Sequence, residues 1–241
     1  MYTFAGRIRF SETNQNSKLK MESLIDYFQD CSTFQSEDLG VGIPYLTERH
    51  WAWLVNYWQI DIEELPALGD AVVTGTSPYE LKGFMGLRNF MMETADGKRL
   101  VNANSIWSLM DMEKGMPARV DEKITDAYEL HPKFDMEYLP RKIRVTKEDE
   151  IFRASPIQIT EQFLDSNHHV NNGQYVRLAM AYGPKDEEIA RLRVEYRKQA
   201  FLDDFIVPTV YQAADTPEKT LVLLNNREGD TFAAVEFTRR S

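Results

Sequence analysis

The sequence predicts an α+β fold in which one unit is used twice: two antiparallel sheets, each packed on a helix. Three observations carry this. The order strand, helix, four strands occurs in residues 2–113 and again in residues 153–239. Asp96-Gly97 in the first set and Glu228-Gly229-Asp230 in the second mark hairpin turns, as an antiparallel sheet requires. Between them, 114–152 loses its periodicity and carries Gly115, Pro117, Pro132 and Pro140 among many charges. The predicted organisation is an N-terminal unit over 1–113, a linker over 114–152, and a C-terminal unit over 153–241.

The elements follow in order. Residues 2–13 alternate as a strand through Phe4, Ile8 and Phe10. From Lys20 to Leu39, Met21, Leu24, Ile25, Phe28, Cys31 and Ser32 recur at helical spacing, and Gly40 stops the run. Residues 51–62 are aromatic and β-branched, which suits a pleated, half-buried surface. Strands over 70–79, 84–94 and 99–113 complete the first set. The linker is expected to pack along the outside, with a short helix near 120–128. The second set begins with a strand over 154–164 and a short helix ending near Tyr182, where Gly183-Pro184 breaks it. Strands over 190–199, 205–213, 218–225 and 231–239 close the chain.

Composition narrows the function. The 241 residues are 43% hydrophobic and 27% charged, which suits a packed core rather than disorder. No apolar run approaches a membrane span, and the first residues lack the apolar core of a signal peptide, so a cytoplasmic protein without membrane contact is expected. The net charge of −10 argues against general nucleic-acid binding. A single cysteine, Cys31, excludes an internal disulfide and a multi-cysteine metal site. It lies on the apolar helix face, so it reads as a core thiol rather than a nucleophile.

The stretch Asp165-Ser166-Asn167-His168-His169-Val170-Asn171-Asn172 stands apart. It holds two of the four histidines, with one Asp and three Asn. Such residues compete for backbone hydrogen bonds and favour turns and helix starts. Two readings stay open on the residues alone: a polar turn that caps the next helix, and a site. As a site, alternation along an extended segment puts Asp165, Asn167 and His169 on one side and His168 on the other. A carboxylate or imidazole can take a proton from water. An amide and helix N–H groups can hold an oxyanion. Hydrolysis of an activated acyl group fits that set. No G-x-S-x-G elbow is present, and metal ligation is disfavoured because adjacent histidines diverge and H-E-x-x-H is absent. No cofactor or metal is expected. At an offset of 149, Ser11-Glu12-Thr13 falls on Thr160-Glu161-Gln162 and Asn16 falls on Asp165. The first copy then lacks the acid, amide and imidazole, and the chemistry belongs to the second.

With these residues in view, the chain resembles the acyl-acyl-carrier-protein thioesterases, in the bacterial branch of the plant-type fatty-acyl thioesterase family. Asp165-x-Asn167-x-His169-Val170-Asn171-Asn172 is similar to the family's D-x-N-x-H-V-N-N signature, and Val194-Glu195-Tyr196-Arg197-Lys198 to its E-Y-R-R/K strand. The helix from Met21 to Asp30 adds support. The resemblance implies a tandem (double) hotdog fold. It also implies release of a free fatty acid from acyl carrier protein, with Asp165, Asn167 and His169 as the catalytic set. Plant members continue E-Y-R-R-E-C, with roles assigned to that Glu and Cys. Here Gln199 and Ala200 stand in those places. The resemblance then implies carboxylate catalysis by Asp165, positioning or oxyanion contact by Asn167, a polar role for His169, and at Gln199 a group that orients but is no base.

The acyl chain is expected along the first helix and near Trp51, Trp53, Tyr57 and Trp58. Docking of the acidic carrier is expected at Arg141, Lys142, Arg144, Arg193 and Lys198. Acyl-CoA hydrolysis and a non-catalytic acyl-binding protein are the alternatives. The assembly is read as a monomer or homodimer.

Overall fold

The computed structural model describes residues 1–145, 149–165 and 168–240. In the first half, β1 (Tyr2–Arg7) is followed by α1 (Met21–Asp38), a short α2 (Ile43–Thr47), β2 (Trp51–Ile62), β3 (Ala71–Lys82), β4 (Met85–Thr94) and β5 (Arg99–Asp111). Then come β6 (Met116–Pro117), α3 (Glu122–Ala127), β7 (Glu150–Arg153) and β8 (Ile157–Gln158). The second half continues with α4 (Asn172–Met180), β9 (Ile189–Tyr196), β10 (Phe205–Tyr211), β11 (Lys219–Asn225) and β12 (Thr231–Arg239).

The strands pair in the order β1-β3-β4-β5-β2-β9-β12-β11-β10-β7, with every described pairing antiparallel. The two sheets of the halves therefore meet edge to edge. β2 and β9 pair from Tyr57↔Glu195 to Asp61↔Arg191, so neither leaves an open edge at the seam. The halves also share one core. Phe28 of α1 packs on Trp58 and Phe90, and the same cluster runs on through Tyr175, Val176, Leu192 and Phe237.

Helix α1 forms for the reason its sequence suggests: Met21, Leu24, Ile25, Phe28 and Cys31 are all fully buried on one face. It ends at Gly40, whose φ of 69° is the left-handed closure that glycine accepts. Its start is capped from the other half, where Asp186 Oδ1 accepts the Met21 N–H at 3.0 Å.

A bulge between Val55 and Tyr57 shifts the phase of β2. Val55 before it, and Trp58, Ile60 and Ile62 after it, all join the core. Tyr57, Gln59 and Asp61 turn to the outer face. There the linker crosses the sheet as a strap held by buried polar side chains. Asn89 of β4 accepts the Phe134 N–H, Gln59 of β2 accepts the Leu139 N–H, and Glu195 of β9 accepts the Ile143 N–H. Those three residues are buried in strands because they satisfy a covered backbone that has no strand partner.

Several local expectations change. The first strand ends at Arg7, and Phe10–Glu12 form a 3-10 turn. The strand expected over 154–164 shrinks to β8, preceded by Pro156 and followed by a second 3-10 turn, Glu161–Phe163. Strand β7 begins within the stretch read as linker and ends at Arg153, just past its expected boundary.

The internal repeat is present, but its register is 151 rather than 149. The turn Phe10–Glu12 maps onto Glu161–Phe163, the Thr13↔Leu19 bridge onto Leu164↔Val170, and the first residue of α1 onto that of α4. Ser17 and His168, both at positive φ (59° and 61°), also correspond. Asn14 thus matches Asp165, and Lys18 matches His169. A single identity-poor match could not fix this register. Backbone hydrogen bonds do: Asn14 N–H to Lys18 O and Asp165 N–H to His169 O are both 2.8 Å.

Candidate active site

The described ends of the tract, Leu164–Asp165 and His168–Val170, pair with each other as the base of a hairpin, not as the extended segment that alternation suggested. Leu164 and Val170 form an antiparallel bridge. Inside it the Asp165 N–H donates to His169 O and the His168 N–H to Asp165 O. Asp165 and His169 are therefore neighbours across the loop base, and Asp165 Oδ1 also accepts the His169 N–H at 3.3 Å. His168 takes the left-handed position and is exposed. Asn167 lies outside the described residues.

The second piece comes from the chain beyond β9, which ends at Tyr196 rather than running to 199. Val170 N–H donates to Ala200 O at 3.1 Å, and the Tyr175 hydroxyl accepts the Ala200 N–H at 2.9 Å. These two bonds hold 199–200 beside 169–170. Gln199 then meets His169, amide nitrogen to Nδ1, at 3.2 Å. Phe201 packs edge-on against the same imidazole, with ring centroids 5.0 Å apart.

Helix α4 starts directly behind the loop. Asn171 caps it through the Gly173 N–H at 2.8 Å. Asn172 reaches across to Gln29 of α1 at 2.9 Å, and the Tyr196 hydroxyl donates to Asn172 O at 3.0 Å. Burial holds the Tyr175 and Tyr196 phenols above their ordinary range, so both remain O–H groups. Asn171 thus caps the helix, as the turn-and-cap reading has it, while Asp165 and His169 line a cleft.

That cleft, about 540 Å³, is lined by residues of both halves. The second half gives Asp165, His169, Asn172, Tyr196 and Gln199. The first gives Gln29, Ser32 and Ser36 of α1, Leu46 of α2, Trp53 of β2, and Arg88 of β4. Of the aromatic residues expected to hold an acyl chain, Trp51 and Trp53 line it. Trp58 is in the shared core, and Tyr57 faces the outer surface, where its hydroxyl accepts from Arg193 at 2.9 Å. The bulge in β2 is what separates them.

Cys31 is fully buried, and its Sγ faces Thr74 O. Burial pushes the thiol up to about 12, so it carries almost no thiolate near neutral pH. Ala200 is also fully buried, among the core side chains. Among the described residues no group of three or more His, Cys, Asp and Glu side chains could hold a metal ion.

The basic residues divide. Arg193 is buried, paired to Glu236 at 2.6 Å and bonded to Pro140 O, so it is no docking group. Lys198 pairs with Asp230. Arg141, Lys142 and Arg144 are exposed around the buried anchor Ile143, whose carbonyl accepts from Arg197 at the cleft. Gln29 and Tyr175, which also line the cleft, were not singled out from sequence, and Arg197 was read as part of the E-Y-R-R/K strand. Tyr175 stands one helical turn from Asn172, a spacing that could have drawn attention to it.

A continuous sheet built from two helix-bearing halves, with a cleft shared between them, defines a double hotdog protein. A family model described as acyl-ACP thioesterase N-terminal domain matches residues 2–128, and the chain belongs to that family. A chloroplastic acyl-[acyl-carrier-protein] hydrolase from Cuphea viscosissima is 24% identical over 215 residues, covering 83% of this chain and 52% of that protein. The chain thus spans about half the length of that curated relative. Among solved structures, an acyl-ACP thioesterase from Bacteroides thetaiotaomicron superposes with a TM-score of 0.87 at 20% identity, covering 99% of this chain and 97% of that one. The 12:0-ACP thioesterase from Umbellularia californica gives 0.83 at 18% identity, covering 99% and 97%. These superpositions establish the double hotdog fold. Among the described residues no helix is long and apolar enough to cross a membrane.

Proposed function

We propose that this chain hydrolyses the thioester of fatty acyl-acyl carrier protein and releases the free acid. In this reading, 1–113 holds the acyl chain, 114–152 straps the halves together, and 153–241 bears the chemistry. The observation that carries the proposal is the meeting of Asp165, His169 and Gln199, from two separate segments, at a cleft whose far wall belongs to the first half.

The chemistry follows from the groups present. Asp165 accepts a proton from water as the water oxygen attacks the carbonyl carbon. The carbonyl electron pair moves to oxygen, where N–H donors hold it, with Asn167 as the candidate side-chain donor. Collapse breaks the C–S bond, and the departing sulfur takes a proton. An amide N–H can only donate, so in this reading the Gln199 contact makes Nδ1 of His169 the acceptor and leaves Nε2 as the ring's donor. His169 then serves as a donor, to the oxyanion or the leaving sulfur, rather than as the base. A glutamate at 199 would accept from Nδ1–H and favour the opposite tautomer, so Gln199 places the work of proton acceptance on Asp165.

No cysteine takes part in this scheme. Purified protein should release free acid from carrier-bound acyl chains faster than from the same acyl chain on CoA, and Cys31→Ser should keep full activity. A folded Cys31→Ser protein without activity would overturn the carboxylate mechanism.

A further inference from the structure

Resting on the thioesterase reading, we infer that Arg88 makes the far end of the acyl cleft selective for an acyl chain that ends in a carboxylate. Arg88 lies on the inner face of β4, opposite Ser105 of β5 and beside Pro78 of β3, and it lines the cleft. Among the described residues its side chain has no carboxylate partner. Its one hydrogen bond is a long one, 3.4 Å, to Gln35 Oε1 of α1. The guanidinium also rests over the Tyr128 ring, 5.3 Å from its centroid. A guanidinium has five N–H donors, so most of this fork is available to a ligand.

The surroundings are polar too. Ser36 and Tyr128 share a hydroxyl–hydroxyl contact at 2.6 Å, and both line the cleft. Gln29, Ser32, Thr33 and Ser36 form one stripe of α1 along its wall. A plain alkyl chain lying there would cover a cation and hydroxyls without satisfying them, which is unfavourable. A carboxylate would meet the fork in bidentate fashion.

The spacing sets the chain length. Gln29 is bonded to Asn172 at the tract, and Gln35 to Arg88. Six residues of helix separate the two contacts, about 9 Å along the axis. A medium-length chain such as octanedioyl, bound through one end as the thioester, spans a comparable distance and presents its free carboxylate to Arg88.

The test compares octanoyl- and octanedioyl-acyl carrier protein on the wild type, Arg88→Met and Arg88→Lys. The expected result is a wild-type kcat/KM on the order of tenfold higher for octanedioyl, expressed in KM. Arg88→Met should reverse the preference, and Arg88→Lys should restore part of it. Equal loss on both substrates in a folded Arg88→Met protein would assign the residue to the carrier's phosphate or to the fold, and would overturn the proposal. So would a wild type that prefers octanoyl. If no acyl-carrier substrate is turned over, the thioesterase reading fails separately. The inference is then read by binding the monomethyl ester of octanedioic acid against its dimethyl ester, through quenching of the cleft tryptophans Trp53 and Trp107. Arg88-dependent binding of the monoanion alone supports it, and equal binding of the two overturns it.

Discussion

Replacing Asp165 by Asn tests the proton-accepting role proposed for it, because the fold contains its own control. The repeat places Asn14 where the second copy has Asp165. The Asn14 side-chain oxygen accepts the Asn16 N–H at 2.9 Å and the Lys18 N–H at 3.1 Å. Asp165 Oδ1 accepts the equivalent His169 N–H at 3.3 Å. An amide oxygen thus closes the same loop as a carboxylate oxygen, with the same backbone bonds and the same left-handed fourth residue. Asp165→Asn should therefore change stability by less than about 0.5 kcal/mol, as for a substitution that preserves contacts. An amide cannot take a proton from water. Loss of a general base costs on the order of a hundred- to ten-thousandfold, or about 3 to 5.5 kcal/mol in the barrier. The assay is single-turnover release of free acid from acyl-acyl carrier protein, with denaturant unfolding run in parallel. Activity within tenfold of wild type would refute the role of Asp165. A large loss of stability would refute the equivalence of the two loops.

Other outcomes follow from the same geometry. Ala200→Cys should not create a nucleophile, because position 200 faces the core; the expected result is no gain in rate, a thiol unreactive in the folded protein, and about 1–3 kcal/mol of destabilisation from overpacking. A rate gain abolished by alkylation would contradict that placement. Asp186→Ala removes the cap of α1 and the bond to Asn14, at 3.0 Å each, and should lower the unfolding free energy by about 1–2 kcal/mol in a denaturant titration. Unchanged stability would mean that these contacts do not hold the halves together. Reversing the charges of Arg141, Lys142 and Arg144 should raise KM for the carrier-bound substrate and leave a small-molecule thioester unaffected. Equal effects on both would remove this surface from docking.

Much of this was legible in the chain. Periodicity gave β2 to the residue, and the apolar face of α1 with its Gly40 stop was plain. Both are local: side-chain spacing and a glycine that tolerates positive φ. The unusual density of Asp, Asn and His marked the tract, since no ordinary core or strand wants that set. The order of elements revealed the repeat, and the motifs pointed to the family.

What the chain could not give by itself depends on contacts across long separations. The register of 151 is fixed by backbone bonds inside two distant loops, and sequence identity is too sparse to find it. The pairing of Asp165 with His169 comes from a hairpin closing, not from alternation. Gln199 reaches His169 because Val170 and Tyr175 clamp Ala200. The bulge at Val55–Tyr57 decides that Trp53 lines the cleft while Tyr57 faces the strap. Residue types and local spacing therefore marked the groups to which the chemistry is assigned in the proposal. Tertiary structure decided which of them meet, because hydrogen bonds between remote segments, and not propensity, set the final distances.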